Sequence, residues 1–74
     1  MAKVRLHLTF PEDLIKVPIL HALSQTHAVV PNIIRANVEE RVGWVIIELE
    51  GEPDELDKGV AYMRDNGVSV DVIE

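Results

Sequence analysis

Residues Lys3–Phe10, KVRLHLTF, alternate without a fault: Val4, Leu6, Leu8 and Phe10 point one way, and Lys3, Arg5, His7 and Thr9 the other. Successive side chains on a strand face opposite sides, so this run is a strand with one buried and one solvated face. A strand of that kind needs a sheet beside it and a second layer over its apolar side.

The remaining segments supply both. PEDL breaks the first strand. A helix is expected from Pro18, which suits a first helical position. It places Ile19, Leu23, Leu20 and Ala22 on one side and is stopped by Pro31. NIIRANVEE reads as a second strand with Ile34, Ala36 and Val38 on one face. RVG is expected to turn the chain, with Gly43 free to take positive φ. WVIIELE follows as a third strand with Val45, Ile47 and Leu49 inward, so strands two and three form a hairpin.

The second helix signal is stronger. Pro53 opens it, and Asp54, Glu55 and Asp57 meet the positive end of the helix dipole. Leu56, Val60 and Met63 make one apolar stripe, and Asn66-Gly67 provides a left-handed stop. Gly59 inside it costs about 1 kcal/mol relative to Ala, which close approach to the sheet would justify. VSVDVI closes the chain as a fourth strand with Val68, Val70 and Val72 inward. The order β-α-β-β-α-β predicts an α+β, ferredoxin-like sandwich: a four-stranded antiparallel sheet with two helices on one face.

Size and charge narrow the function. A chain of 74 residues makes one domain, read here as residues 1–74, and buries only about 60% of its unfolded surface. There is no cysteine to staple it, and small cores of this kind are commonly completed by association. With seven basic against thirteen acidic residues and a net charge of −6, nucleic acid is not an expected partner. No apolar run approaches the roughly 20 residues of a membrane span. A cytoplasmic location is expected, without membrane insertion.

The helices can cover one face of the sheet only. The other carries Arg5, His7, Thr9, Arg35, Asn37, Glu39, Trp44, Ile46, Glu48, Ser69, Asp71 and Ile73. Trp44 and Ile46 are out of place on a solvated face and are the expected dimer interface. The alternative is that Trp44 folds over its own sheet.

Catalytic and metal patterns do not stand out. His7, His21 and His27 lack the spacing that aims two imidazoles at one ion. The four glycines, at 43, 51, 59 and 67, form no phosphate loop. His21, Ser24 and Asp57 show no nucleophile-elbow order. No enzyme activity, metal or cofactor is expected, and a binding or regulatory module is.

The ordered set LTF, Pro18, Asn32-Ile33-Ile34, ELEG ending at Gly51, and NGVSVDVI resembles a NIL domain over essentially the whole chain. The family is named for an Asn-Ile-Leu motif opening strand two; here its third residue is Ile34. Family members include the C-terminal regulatory domain of the methionine importer's ATPase subunit, which dimerises and binds methionine, and domains fused to iron–sulfur ferredoxins. The resemblance implies a homodimer that senses methionine or a related amino acid. Asn32 would read the carboxylate or amino group, with Ile33, Ile34, Pro18 and Ile19 as an apolar wall. Alternatively Asn32 caps backbone groups between helix one and strand two. Pro11 stands where the transporter members tend to have Gly. The implied protein partner is a transporter ATPase or an iron–sulfur protein. A second reading is an assembly module beside such a protein, with no small ligand.

Overall fold

The computed structural model describes residues 2–15, 17–39 and 41–73. Strand β1 spans Ala2–Pro11 and is followed by a 3-10 turn, Glu12–Leu14, and helix α1, Ile19–Thr26. The hairpin β2, Val29–Val38, and β3, Val42–Gly51, leads to helix α2, Pro53–Asp65, and strand β4, Ser69–Val72. The sheet order is β2-β3-β1-β4 with every pairing antiparallel. This is the ferredoxin-like α+β arrangement.

The alternation of β1 and β3 becomes the core directly. Leu6 and Leu8 pair with Ile47 and Val45 across the two central strands. Ile19 and Leu23 of α1 and Leu56 and Met63 of α2 close over them in one cluster with Val29, Leu49, Val68 and Val70. Leu6, Leu8, Leu23, Ile47, Leu49 and Met63 are sealed from solvent, and burying each stabilises by about 1.5–3 kcal/mol. Gly59 lets α2 approach: a Cβ there would meet Leu23 Cδ1 at 3.3 Å and Leu49 Cδ2 at 3.6 Å. Gly67 holds φ at 92° in the turn after α2.

Four local expectations need correction. Pro31 does not stop a helix: α1 already ends at Thr26, and Pro31 lies inside β2 opposite Leu49. A proline is tolerated there because β2 is an edge strand. Ile34 does not share a face with Ala36 and Val38. Ile33 pairs with Ile47 and Arg35 with Ile46, so Ile34 is the extra residue of a bulge, and Ile33 takes the helix side with Ala36 and Val38. Gly43 has no positive φ; it sits within β3 opposite Phe10 and Val38. Val72 is 60% exposed: it lies at the short edge strand β4, in an open groove beside Val60 and Arg64 of α2 rather than under the helix. Pro18 stands just before the first residue of α1, as its N-cap. Glu40, expected at the end of strand two, lies outside the described residues.

Candidate ligand-binding site

The apolar segment between β1 and α1 has no period, because it lines a cavity rather than a face. Phe10, Leu14, Ile15, Val17, Pro18, Ile19, Leu20 and His21 enclose it from one side. Val38, Gly43 and Val45, from the open end of the β2–β3 hairpin, enclose it from the other. Its volume is about 210 Å³. The wall is almost wholly aliphatic and aromatic, with His21 the one ionisable side chain in it among the described residues. Helix α1 starts here with no side-chain cap. The Ile19 N–H donates to the Val17 carbonyl and the Ala22 N–H to that of Pro18, which leaves the first-turn N–H groups of Leu20 and His21, both cavity-lining residues, without an intrahelical partner.

The sequence-derived set divides between surfaces. Pro18 and Ile19 belong to the cavity. Asn32 is exposed on β2 opposite Glu48, on the sheet face away from the helices. Its amide makes no protein hydrogen bond among the described residues, so it does not cap the α1–β2 connection. Ile33 lies on the helix side of the edge, 63% exposed, and Ile34 is at the bulge. Within one chain, Asn32, Ile33 and Ile34 do not reach the cavity lining.

Reasoning from the sequence missed Leu14, Ile15, Val17 and Val38 as lining residues. The available signal was the apolar density of LIKVPIL, too high for a solvated loop.

The open face of the sheet is organised by its own charges. Lys3 reaches Glu48 at 3.8 Å and Glu50 at 3.5 Å, and Arg5 reaches Glu48 at 3.5 Å. Trp44 is half-buried and stacks on His7, with centroids 5.6 Å apart and an interplanar angle of 19°. The Arg35 guanidinium lies 5.9 Å from the Trp44 ring centroid. Trp44 thus rests on side chains of both neighbouring strands, and Ile46 beside it is half-buried. Among the described residues no group of three or more His, Asp or Glu side chains could hold a metal ion.

Comparison with known proteins decides the family: the family model described as NIL domain matches residues 4–72. The chain belongs to the NIL domain family. This NIL domain is 31% identical over 70 residues to the methionine import ATP-binding protein MetN of Halalkalibacterium halodurans, covering 89% of the chain and 21% of that protein. It therefore spans about a fifth of that relative's length. Its fold matches the crystal structure of the C-terminal domain of an ABC transporter/ATP-binding protein from Enterococcus faecalis. The TM-score is 0.82 at 26% identity, over 95% of the NIL domain and 82% of the other chain. No described helix is long and apolar enough to cross a membrane.

Proposed function

We propose that this NIL domain is a regulatory sensor, acting as a cytoplasmic homodimer, for methionine or a related amino acid on behalf of a transporter ATPase. The cavity beside α1 carries the reading. At about 210 Å³ it is smaller than the roughly 300–1,000 Å³ of sites for drug-sized ligands, as suits a molecule of amino-acid size. Its apolar wall matches a thioether chain. The first turn of α1, through the N–H groups of Leu20 and His21, offers donors and a positive dipole end to a carboxylate. The similarity to a methionine import ATP-binding protein supports methionine or a relative as the ligand. Asn32, exposed directly after Pro31 on β2, adds a polar reader if a second copy brings it near a cavity.

Binding to the native state raises stability by RT ln(1 + [L]/Kd). A thermal-shift titration should therefore show a rise in Tm with methionine and none with an acidic amino acid of similar size. Equal responses to both, or none to methionine, would remove methionine sensing.

The exposed apolar side chains of β2 favour a second reading, an assembly module without a small ligand beside a transporter ATPase or an iron–sulfur protein. Having no cysteine, this chain would leave thiolate ligation of a cluster to the partner. A dimer that ignores methionine would support this reading.

A further inference from the structure

We propose that the groove between α2 and the β4 edge takes an extended segment of a partner protein, an apolar residue flanked by Lys or Arg, which adds to the sheet as a strand beside β4. The inference does not rest on methionine sensing or on the homodimer. The groove and the cavity beside α1 share no lining residue.

The register of β4 sets where its backbone points. The Ile73 N–H donates to the Arg5 carbonyl at 3.0 Å, and Asp71 lies opposite His7. Ser69, Asp71 and Ile73 therefore turn their backbone groups toward β1. Pairs along an antiparallel ladder alternate between bonded and non-bonded, so Val70 and Val72 turn theirs outward, where the sheet ends. The Val70 carbonyl is occupied: the Arg64 guanidinium donates to it at 2.9 Å. A charged side chain over an edge is a common guard against strand addition. No hydrogen bond engages the outward groups of Val72 among the described residues.

Below this edge, on the helix side, lies an open groove of about 510 Å³. Val4, Leu56, Val60 and Val72 form its floor. Val72 is 60% exposed, and Val4 and Val60 are half-buried, so apolar surface remains for an incoming side chain. A helix laid in the groove would cover the valines and leave the Val72 backbone unpaired. An extended segment does both: its main chain pairs with the edge and alternate side chains enter the groove.

The outer wall selects the charge of that segment. Asp57, Ala61 and Asp65 line it at four-residue spacing, on one exposed flank of α2. Neither carboxylate has an ion-pair partner among the described residues. Eight residues of helix separate the two by about 12 Å. Two residues four apart on a strand, which face the same side, are separated by about 13 Å. A Lys-x-Leu-x-Lys segment thus sets its leucine over the valine floor with a lysine near each aspartate. A second copy of the chain, with a net charge of −6, is the poorer occupant. As the segment docks, one of its N–H groups replaces Arg64 on the Val70 carbonyl.

Amide chemical shifts of the isotope-labelled chain, titrated without methionine, test this. The probe is the end-blocked peptide Thr-Lys-Thr-Leu-Thr-Lys-Thr, and the control has glutamate in place of both lysines. The lysine peptide should move the amides of Val60, Ala61, Val70 and Val72 in a saturable way, and the glutamate peptide should not. Replacing both carboxylates, Asp57→Asn with Asp65→Asn, should weaken binding about fivefold, as expected for the loss of two exposed ion pairs. Arg64→Ala, which bares the Val70 carbonyl, should tighten it; where that variant loses the native spectrum, Arg64→Gln replaces it with the same expectation. Equal binding of the two peptides, shifts confined to other surfaces, or no saturable shift overturns the proposal. So does movement of the β4 amides on dilution of the chain alone, which would assign the edge to a second copy. None of these outcomes bears on the methionine titration.

Discussion

Three glycines carry different constraints, and their alanine variants should separate in urea denaturation. A Cβ on Gly51 would sit 3.0 Å from the Ala28 carbonyl oxygen and 3.2 Å from Val29 Cγ1. Backbone cannot yield as a side-chain tip does, so Gly51→Ala should lose about 1–3 kcal/mol. Gly67→Ala should lose about 1–2 kcal/mol from its positive φ, and its Cβ would also crowd Leu14 Cδ1 at 3.2 Å. At Gly43 the nearest atoms are 3.8 Å away and φ is not positive. Gly43→Ala should therefore stabilise by about 0.4–1 kcal/mol, through the unfolded chain's lost freedom. A Gly43→Ala variant weaker than wild type would mean the hairpin end is tighter than its geometry. The stop at Gly67 was legible from Asn66-Gly67. The constraint at Gly51 was not, because the atom it must clear belongs to a residue twenty-three positions earlier.

At the scale of elements, burial outweighs charge. Met63 lies under α2 with no solvent exposure, and Met63→Ala should cost about 2–5 kcal/mol by the cavity it leaves. The ladder of Lys3 and Arg5 against Glu48 and Glu50 joins β1 to β3, but its members remain 29–59% exposed. Exposed pairs contribute about 0.2–1 kcal/mol, so Glu48→Gln should change stability by less than about 1 kcal/mol. A loss as large as that of Met63→Ala in the same denaturation experiment would overturn this ranking. β1, β3 and α2 were readable because each keeps one period for its whole length. β2 was half readable: its downstream face followed from Ala36 and Val38, but the bulge at Ile34 shifts the period by one residue. No residue type in NIIRA announces that shift.

For the whole molecule, the proposed association has a thermodynamic signature independent of hydrodynamics. If the chain works as a homodimer, the native state is favoured by mass action, and Tm should climb as protein concentration rises. A Tm flat across that range would contradict a dimer coupled to folding. The apolar cavity beside α1 belongs to this scale too, since its lining comes from β1, the segment before α1, α1 itself and the β2–β3 hairpin. The sequence by itself determined the element order, the core faces of β1 and β3, the stripe on α2 and the family resemblance, all of which depend on residues close together along the chain. Tertiary structure alone decided that Trp44 lies against His7, that Pro18 and Ile19 share a cavity with Val38 and Gly43 while Asn32 faces away from it, and that β2 is left bare. Those outcomes depend on how far a short α1 reaches across the sheet and on where one bulge reverses the side chains, and neither distance is encoded in local spacing.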